Sequence, residues 1–457
     1  MKRKLKNLFI VLLLAAISSA IIYAWQALPI ISGYGAKNLC TCVFVAGRSV
    51  ESVLDNELGS MPLSLGSFTV NRDDQSASGD VFGLAGKKAI YREGLGCTLL
   101  AEITEAEVRN QPIRLVPLKS IPDSITFTRV ADSLAGDVID ATALEQAIDN
   151  AFVEENTEAP VRTRAVVVLH KGTLVGEHYA DGFSRDTPQI GWSMTKSVTA
   201  TLVGMLVKDG VLSLTDANLF PEWAEDDRRH ITVDQLLRMS SGLEWEEEYS
   251  GPSSATNMLF KTADMGGFAA SQDLAYAPEE VWYYSSGTSN ILSKLVRMKL
   301  GDRYHNYVRE RLFNPLGMSS AVIEPDASGT YVGSSYMYAT PLDWAKFGQL
   351  YLNNGQWLGE QLLPADWAKY VSTPTPKAPK GQYGGHFWLN AGEKENPDNR
   401  VYPDAPADLY SANGYEGQRV FIIPSLELVV VRLGQTKVRG SFDFNNMLKE
   451  IIAAVER

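Results

Sequence analysis

Ser193-Met194-Thr195-Lys196 constrains this chain more than any other stretch. A serine and a lysine three residues apart on a helix share one face, about one turn apart, so the ammonium nitrogen reaches the hydroxyl. Such a lysine accepts the serine proton when burial or a neighbouring cation lowers its pKa. The flanks predict the helix that this spacing requires. Trp192 precedes the serine, Ser197 to Val207 runs small and apolar, and Lys208-Asp209-Gly210 supplies a C-terminal stop. Ser193 then falls in the first turn, where free backbone N–H groups and the positive helix end favour a developing oxyanion. No other Ser-x-x-Lys occurs in the chain.

At 457 residues the chain is long enough for two or three units. A net charge of −12, with no large basic cluster past the N-terminus, argues against a nucleic-acid partner. Lys2-Arg3-Lys4-Leu5-Lys6 leads into an apolar run from Leu8 to Trp25, broken only by Ser18, Ser19 and Tyr23. A positive start and such a run read as an uncleaved membrane anchor, or as a secretory signal cut at Ser18-Ser19-Ala20. Continuation through Ile21-Ile22-Tyr23-Ala24 favours the anchor, although the length is at the short end for a spanning helix. By the positive-inside tendency the remainder is exported, anchored and facing the periplasm, or secreted if the segment is cleaved. An exported protein with Cys40, Cys42 and Cys97 is expected to form one disulfide between the Cys40-Thr41-Cys42 segment and Cys97, with the choice between the first two open. Two cysteines one residue apart, with no nearby His, make a poor zinc site, and neither metal nor cofactor is expected.

Three regions follow. Residues 1–30 are the anchor or signal, 31–140 a small β-rich unit with no identifiable chemistry, and 141–457 the part that carries the Ser193 helix. Short runs such as Ser67-Phe68-Thr69-Val70 and Lys88-Ala89-Ile90-Tyr91-Arg92, split by Gly- and Asp-rich turns, mark the small unit. Ser120 to Asp140 reads as a connector, and Ala141 to Glu155 as a helix with Leu144, Ala147, Ile148 and Phe152 on one face. Strands are expected over Arg164 to His170 and Leu174 to Tyr179, and again over Arg419 to Ile423 and Glu427 to Leu433, before a last helix from Phe444 to Glu456. Strands at both ends with helices between predict one mixed sheet whose first and last strands pair, flanked by helices.

Two more stretches carry chemistry. Val281 to Asn290 contains Tyr284-Ser285-Ser286 at the mouth of a helix, setting a phenol able to relay a proton beside a hydroxyl; a packed aromatic next to a helix cap is the plainer alternative. Ala412-Asn413-Gly414-Tyr415-Glu416-Gly417-Gln418 leads into a strand. Its glycines let a ligand approach the strand edge, and the Tyr415 N–H can then point at a bound carbonyl oxygen; an ordinary hairpin turn would look similar. In this order and spacing, the three patterns resemble the serine β-lactamase and penicillin-binding protein superfamily. The likeness is strongest to its class C-like branch of esterases, D-amino-peptidases and 6-aminohexanoate-dimer hydrolases, and extends over about residues 160 to 457. Further agreement lies in Asp209 to Asp216, Ile231 to Leu243, Leu312 to Met318 and Thr340 to Leu350.

The resemblance implies an α/β fold of the α+β type: a mixed, mainly antiparallel sheet flanked by helices, with a helical subdomain. It implies Ser193 as nucleophile, Lys196 as its base and Tyr284 as proton relay, with the N–H groups of Ser193 and Tyr415 as oxyanion hole. Trp192, Ser286, Asn413 and Gly414 would line the substrate. Where lysine-bearing relatives carry Lys-Thr-Gly, this chain has Ala412-Asn413-Gly414, and the missing cation favours an ester or amide over a β-lactam; Arg419 is the first residue to examine as a substitute. The five histidines offer no visible Ser-His-Asp alternative, and no Gly-x-Ser-x-Gly occurs. The expected function is a serine hydrolase that forms an acyl-enzyme. The alternative is a penicillin-binding sensor that acylates without turnover, or a D-amino-peptidase or carboxypeptidase acting on cell-wall peptides.

Overall fold

The computed structural model describes residues 2–122, 126, 128–129 and 139–456, so most of the expected connector between Ser120 and Asp140 lies outside the described residues. The chain forms two compact units. One gathers Met1–Gln111, Trp245–Phe268 and Pro325–Gly329; the other comprises Pro112–Glu244, Ala269–Glu324 and Thr330–Arg457.

In the first unit a single helix, α1 (Lys2–Phe44), runs through the boundary expected at residue 30. It is exposed from Lys4 to Tyr23 and largely buried from Ile31 onward. The buried half packs on an antiparallel meander of β1 (Gly66–Asn71), β2 (Ser76–Val81), β3 (Leu84–Arg92) and β4 (Gly96–Leu99). Locally, Ile31-Ser32-Gly33-Tyr34-Gly35 is a poor helix former. Packing overrides that propensity: the Phe68 ring fills the space at Gly35, where a Cβ would come within 1.9 Å of it. A disulfide joins Cys40 to Cys97 with Cα atoms 6.1 Å apart, and Cys42 is a buried thiol. Residues two apart on a helix point about 200° apart, so only one of Cys40 and Cys42 can face β4.

The second unit opens with α2 (Ala141–Asn150), capped by the Asp140 carboxylate, which accepts the Ala143 N–H at 3.0 Å. Then come β5 (Thr163–His170) and β6 (Thr173–Tyr179), joined by Lys171 and Gly172 with φ of 50° and 71°, the left-handed pair that a tight hairpin requires. The helices that follow include α3 (Met194–Lys208), α4 (Ser286–Leu300) and α5 (Pro341–Leu352). The chain ends with β7 (Trp388–Leu389), β8 (Tyr410–Gly414), β9 (Gln418–Ile423), β10 (Leu428–Gly434) and α6 (Phe444–Val455).

Strand order in the sheet is β7-β8-β9-β10-β5-β6, extended by Thr128–Arg129 parallel to β6. The late strand β10 pairs antiparallel with the early strand β5, as the sequence predicts. Alternation along the strands gives the sheet two apolar faces. Val166, Val168, Phe421, Ile423, Leu428 and Val430 meet α2 and α6 through Leu144, Ile148, Leu448 and Ile451. Fully burying each such aliphatic side chain contributes about 1.5–3 kcal/mol. On the other face α5 lies so close that a Cβ at Gly348 would fall 2.7 Å from Val420 and Val429. Helix α3 packs on β8 and β9 and is buried on every side from Met194 to Leu206, which explains why its small, mostly uncharged sequence has no solvent-facing polar stripe.

Candidate active site

Ser193 stands at the N-cap of α3, and the residue before it, Trp192, has φ 47°. A non-glycine residue in the left-handed region is strained, and here it turns the chain sharply into the helix. Glycines flank this elbow because there is no room for a side chain. A Cβ at Gly191 would lie 2.4 Å from the Trp344 ring, and a Cβ at Gly414 would lie 2.0 Å from the Gly191 carbonyl oxygen. The end of β8 therefore abuts the elbow backbone to backbone. Ser193 keeps partial solvent exposure while the helix behind it is buried.

Lys196 is 1% exposed. Its Nζ lies 3.1 Å from Ser193 Oγ, 2.9 Å from Ser286 Oγ and 3.0 Å from the Ser334 carbonyl oxygen. The serine–lysine pair predicted by spacing is thus within hydrogen-bond reach. Ser286 is fully buried at the start of α4, which Ser285 caps by accepting the Thr288 N–H at 3.1 Å. Tyr284, just before the cap, is half-buried, and Lys196 Nζ sits 5.0 Å from the centre of its ring. Tyr383 and Trp388 hold that ring, with centroids 5.8 and 5.4 Å away.

Three partners of this centre have no local sequence signal. The Ser334 carbonyl is fixed by Asn290, one turn along α4 from Ser286: Asn290 Oδ1 accepts the Ser334 N–H at 3.3 Å and Nδ2 donates to Ser334 Oγ at 3.1 Å. His386 lies behind Lys196 at φ 63° and is 2% exposed. Its Nδ1 is 2.7 Å from the Leu237 carbonyl, which can only accept, so Nδ1 carries the proton and Nε2 accepts from Ser289 Oγ at 2.9 Å. Burial pushes this imidazole down to about 3; the Leu237 bond opposes the shift and the Lys196 charge adds to it, so the ring is neutral in the physiological range.

Trp192 is 8% exposed, its ring 6.2 Å from that of Tyr336 and 6.1 Å from that of Tyr415. On β8, Ala412 pairs with Val420 and Gly414 with Gln418, while Asn413 pairs with Arg419. Alternation therefore puts Ala412 and Gly414 on the α3 side, and Asn413 and Arg419 on the opposite side. Arg419 stacks 4.6 Å over Phe444 of α6. It does not occupy the space that a lysine at position 412 would reach.

A family model described as Beta-lactamase matches residues 148–454. The 6-aminohexanoate-dimer hydrolase of Paenarthrobacter ureafaciens is 23% identical over 322 residues, 65% of this chain and 78% of that protein. A family VIII carboxylesterase superposes with a TM-score of 0.54 at 16% identity, covering 70% of this chain and 98% of the other. A penicillin-binding protein homologue from Caulobacter crescentus gives 0.52 at 15% identity, covering 68% and 96%. The architecture is the β-lactamase/transpeptidase-like fold, and the chain belongs to the β-lactamase family of serine hydrolases.

Proposed function

We propose that the protein hydrolyses a neutral ester or amide through an acyl-enzyme on Ser193. The observation that carries this reading is the 3.1 Å approach of Lys196 Nζ to Ser193 Oγ at the mouth of a buried helix. In its deprotonated form Lys196 takes the Ser193 proton as Oγ attacks the carbonyl carbon. The N–H groups of Ser193 and Tyr415 receive the oxyanion, and Tyr284 passes the proton to the departing alcohol or amine. Water then attacks the acyl-enzyme by the reverse relay and restores Ser193. Ser286 and the Ser334 carbonyl hold Lys196 in place through its other two contacts. General base and oxyanion stabilisation are each worth several kcal/mol in such reactions.

The substrate class follows from Ala412. A unit charge a few ångströms from a substrate carboxylate in a partly desolvated site contributes several kcal/mol, and alanine supplies none. A butyrate ester is therefore expected to give a higher kcat/KM than nitrocefin or a D-Ala-D-Ala peptide, and Ala412→Lys should shift the ratio toward the carboxylate-bearing substrates by about tenfold, about 1.4 kcal/mol. Because Ala412 is fully buried, the wild-type comparison is the decisive arm. A wild type that already prefers nitrocefin tenfold or so would reject the ester reading. Stoichiometric, lasting acylation without turnover would favour the sensor alternative.

We also propose that α1 anchors the protein in a membrane. Within Lys4–Phe44 a stretch reaches a mean hydropathy of 2.4 with none of that stretch buried. Leu5 to Ile22 spans about 27 Å at 1.5 Å per residue, close to the roughly 30 Å hydrocarbon core. Exposed Tyr23 and Trp25 fall where interfacial aromatics belong, and Lys2-Arg3-Lys4 lies at the other end. The protein is expected to remain in the membrane fraction through an alkaline carbonate wash, with its N-terminus at or near Met1. A mature chain beginning after Ala20 would show a cleaved signal instead.

A further inference from the structure

The turn after β8, Tyr415–Gly417, is poorly suited to hold its own shape. Glu416 sits at φ 58° and Gly417 at φ 85°. A left-handed non-glycine residue is strained, so the surroundings have to impose this conformation. The Thr436 N–H donates to the Glu416 carbonyl at 2.9 Å, and two arginines, directly opposite each other on β9 and β10, add further contacts.

Arg419 Nη1 donates to the Gly414 carbonyl at 2.9 Å and to the Gln418 carbonyl at 2.8 Å. Arg432 is fully buried, and its Nη1 donates to the carbonyls of Gly417 and Glu416 at 3.2 and 3.4 Å. The same guanidinium is seated by Nη2 contacts to Val161 O, Thr163 Oγ1 and Thr436 Oγ1 at 2.8, 2.8 and 2.7 Å, and Phe442 covers it at 4.4 Å. Glycine is needed on both sides of it, since a Cβ at Gly417 or Gly434 would come within 2.4 or 2.6 Å of its atoms. Burial, and then the charges of Arg419 and Arg164, pull Arg432 down to about 9, which leaves it charged at neutral pH. Burying a charge is far more costly before compensation than burying an apolar residue that merely filled the space.

The Gly414 carbonyl belongs to the same peptide unit as the Tyr415 N–H. In a trans peptide the two point in opposite directions, so a cation fixed on the oxygen also fixes where the N–H points. It polarises the unit as well and makes the N–H a stronger donor, as charge-assisted and chained hydrogen bonds do. We propose that Arg419 and Arg432 form a paired-cation cradle that aims and strengthens the Tyr415 N–H as oxyanion donor, a positioning role in the hydrolytic step that rests on the Ser193 and Tyr415 assignments above. The cradle supplies positive charge behind the oxyanion turn, on the sheet face opposite Ala412.

The test uses Arg419→Gln and Arg419→Lys in the full-length protein, with Arg432→Lys as a second site. Rates are expressed per active site titrated with a fluorophosphonate, so misfolded protein does not count. Arg419→Gln is expected to lower kcat about tenfold to a hundredfold, because the donor is weakened and not deleted, while KM stays within about threefold. Inhibition by phenylboronic acid, whose tetrahedral adduct uses the same N–H groups, should weaken by the same factor. Arg419→Lys should recover part of the loss by keeping a charge on the Gly414 oxygen. Wild-type kcat per titrated site in Arg419→Gln and Arg432→Lys, with only the titratable fraction reduced, would overturn the proposal. A wild type that the probe does not label at Ser193 would remove the assignments beneath it and the cradle with them.

Discussion

Ser193→Ala is expected to abolish hydrolysis of p-nitrophenyl esters, with a loss in kcat of roughly 10⁴-fold or more. Ser193 is the half-exposed residue at the elbow, and Lys196 Nζ reaches its hydroxyl. The substitution deletes one oxygen from a partly exposed N-cap that makes no side-chain capping bond, so stability should change little. Thermal unfolding within a few degrees of wild type, alongside the lost activity, would separate chemistry from folding. An alanine variant that retains a tenth of the wild-type rate would show that the nucleophile lies elsewhere.

Lys196→Met should lower kcat by about 10²–10⁴-fold, the usual worth of a positioned general base. Methionine is the informative replacement. It fills most of the space of the buried stem, whereas alanine would open a cavity and add a packing defect of 2–5 kcal/mol. The variant still leaves Ser286 Oγ and the Ser334 carbonyl without the donor they now share, so a drop in stability of about 1–3 kcal/mol is expected as well. Ser193 remains in place, so slow labelling by a fluorophosphonate should persist. Turnover near the wild-type rate would make Lys196 a structural residue.

Much of the second unit was legible because its elements are long and their periods clean. The β5–β6 hairpin, the β9–β10 pair, the amphipathic face of α2 and the existence of α6 follow from alternation, a Lys-Gly turn and helical spacing. The Ser193–Lys196 contact was legible for the same reason, since both ends lie within one helical turn. What escaped the sequence is non-local. The Ser334 carbonyl lies 138 positions from Lys196, and Ser197 donates to the His386 carbonyl across 189 positions, distances over which no periodicity carries information. The second half of α1 was hidden for another reason: Ile31 to Gly35 is a poor helix former, and only packing against Phe68 at Gly35 shows why it is helical. That also left the disulfide partner open, because choosing Cys40 over Cys42 requires knowing that the segment is helical. Arg419 does not substitute for the missing lysine, because pairing with Asn413 puts it on the other face of the sheet from Ala412.

The central claim is that Ser193 is acylated, and the most direct measurement is peptide mapping by mass spectrometry after reaction with a fluorophosphonate. One adduct per chain is predicted, located on Ser193, slower to form in Lys196→Met and absent from Ser193→Ala. An adduct on any other residue, or a Ser193→Ala protein that is still labelled stoichiometrically and still hydrolyses the ester, would contradict it.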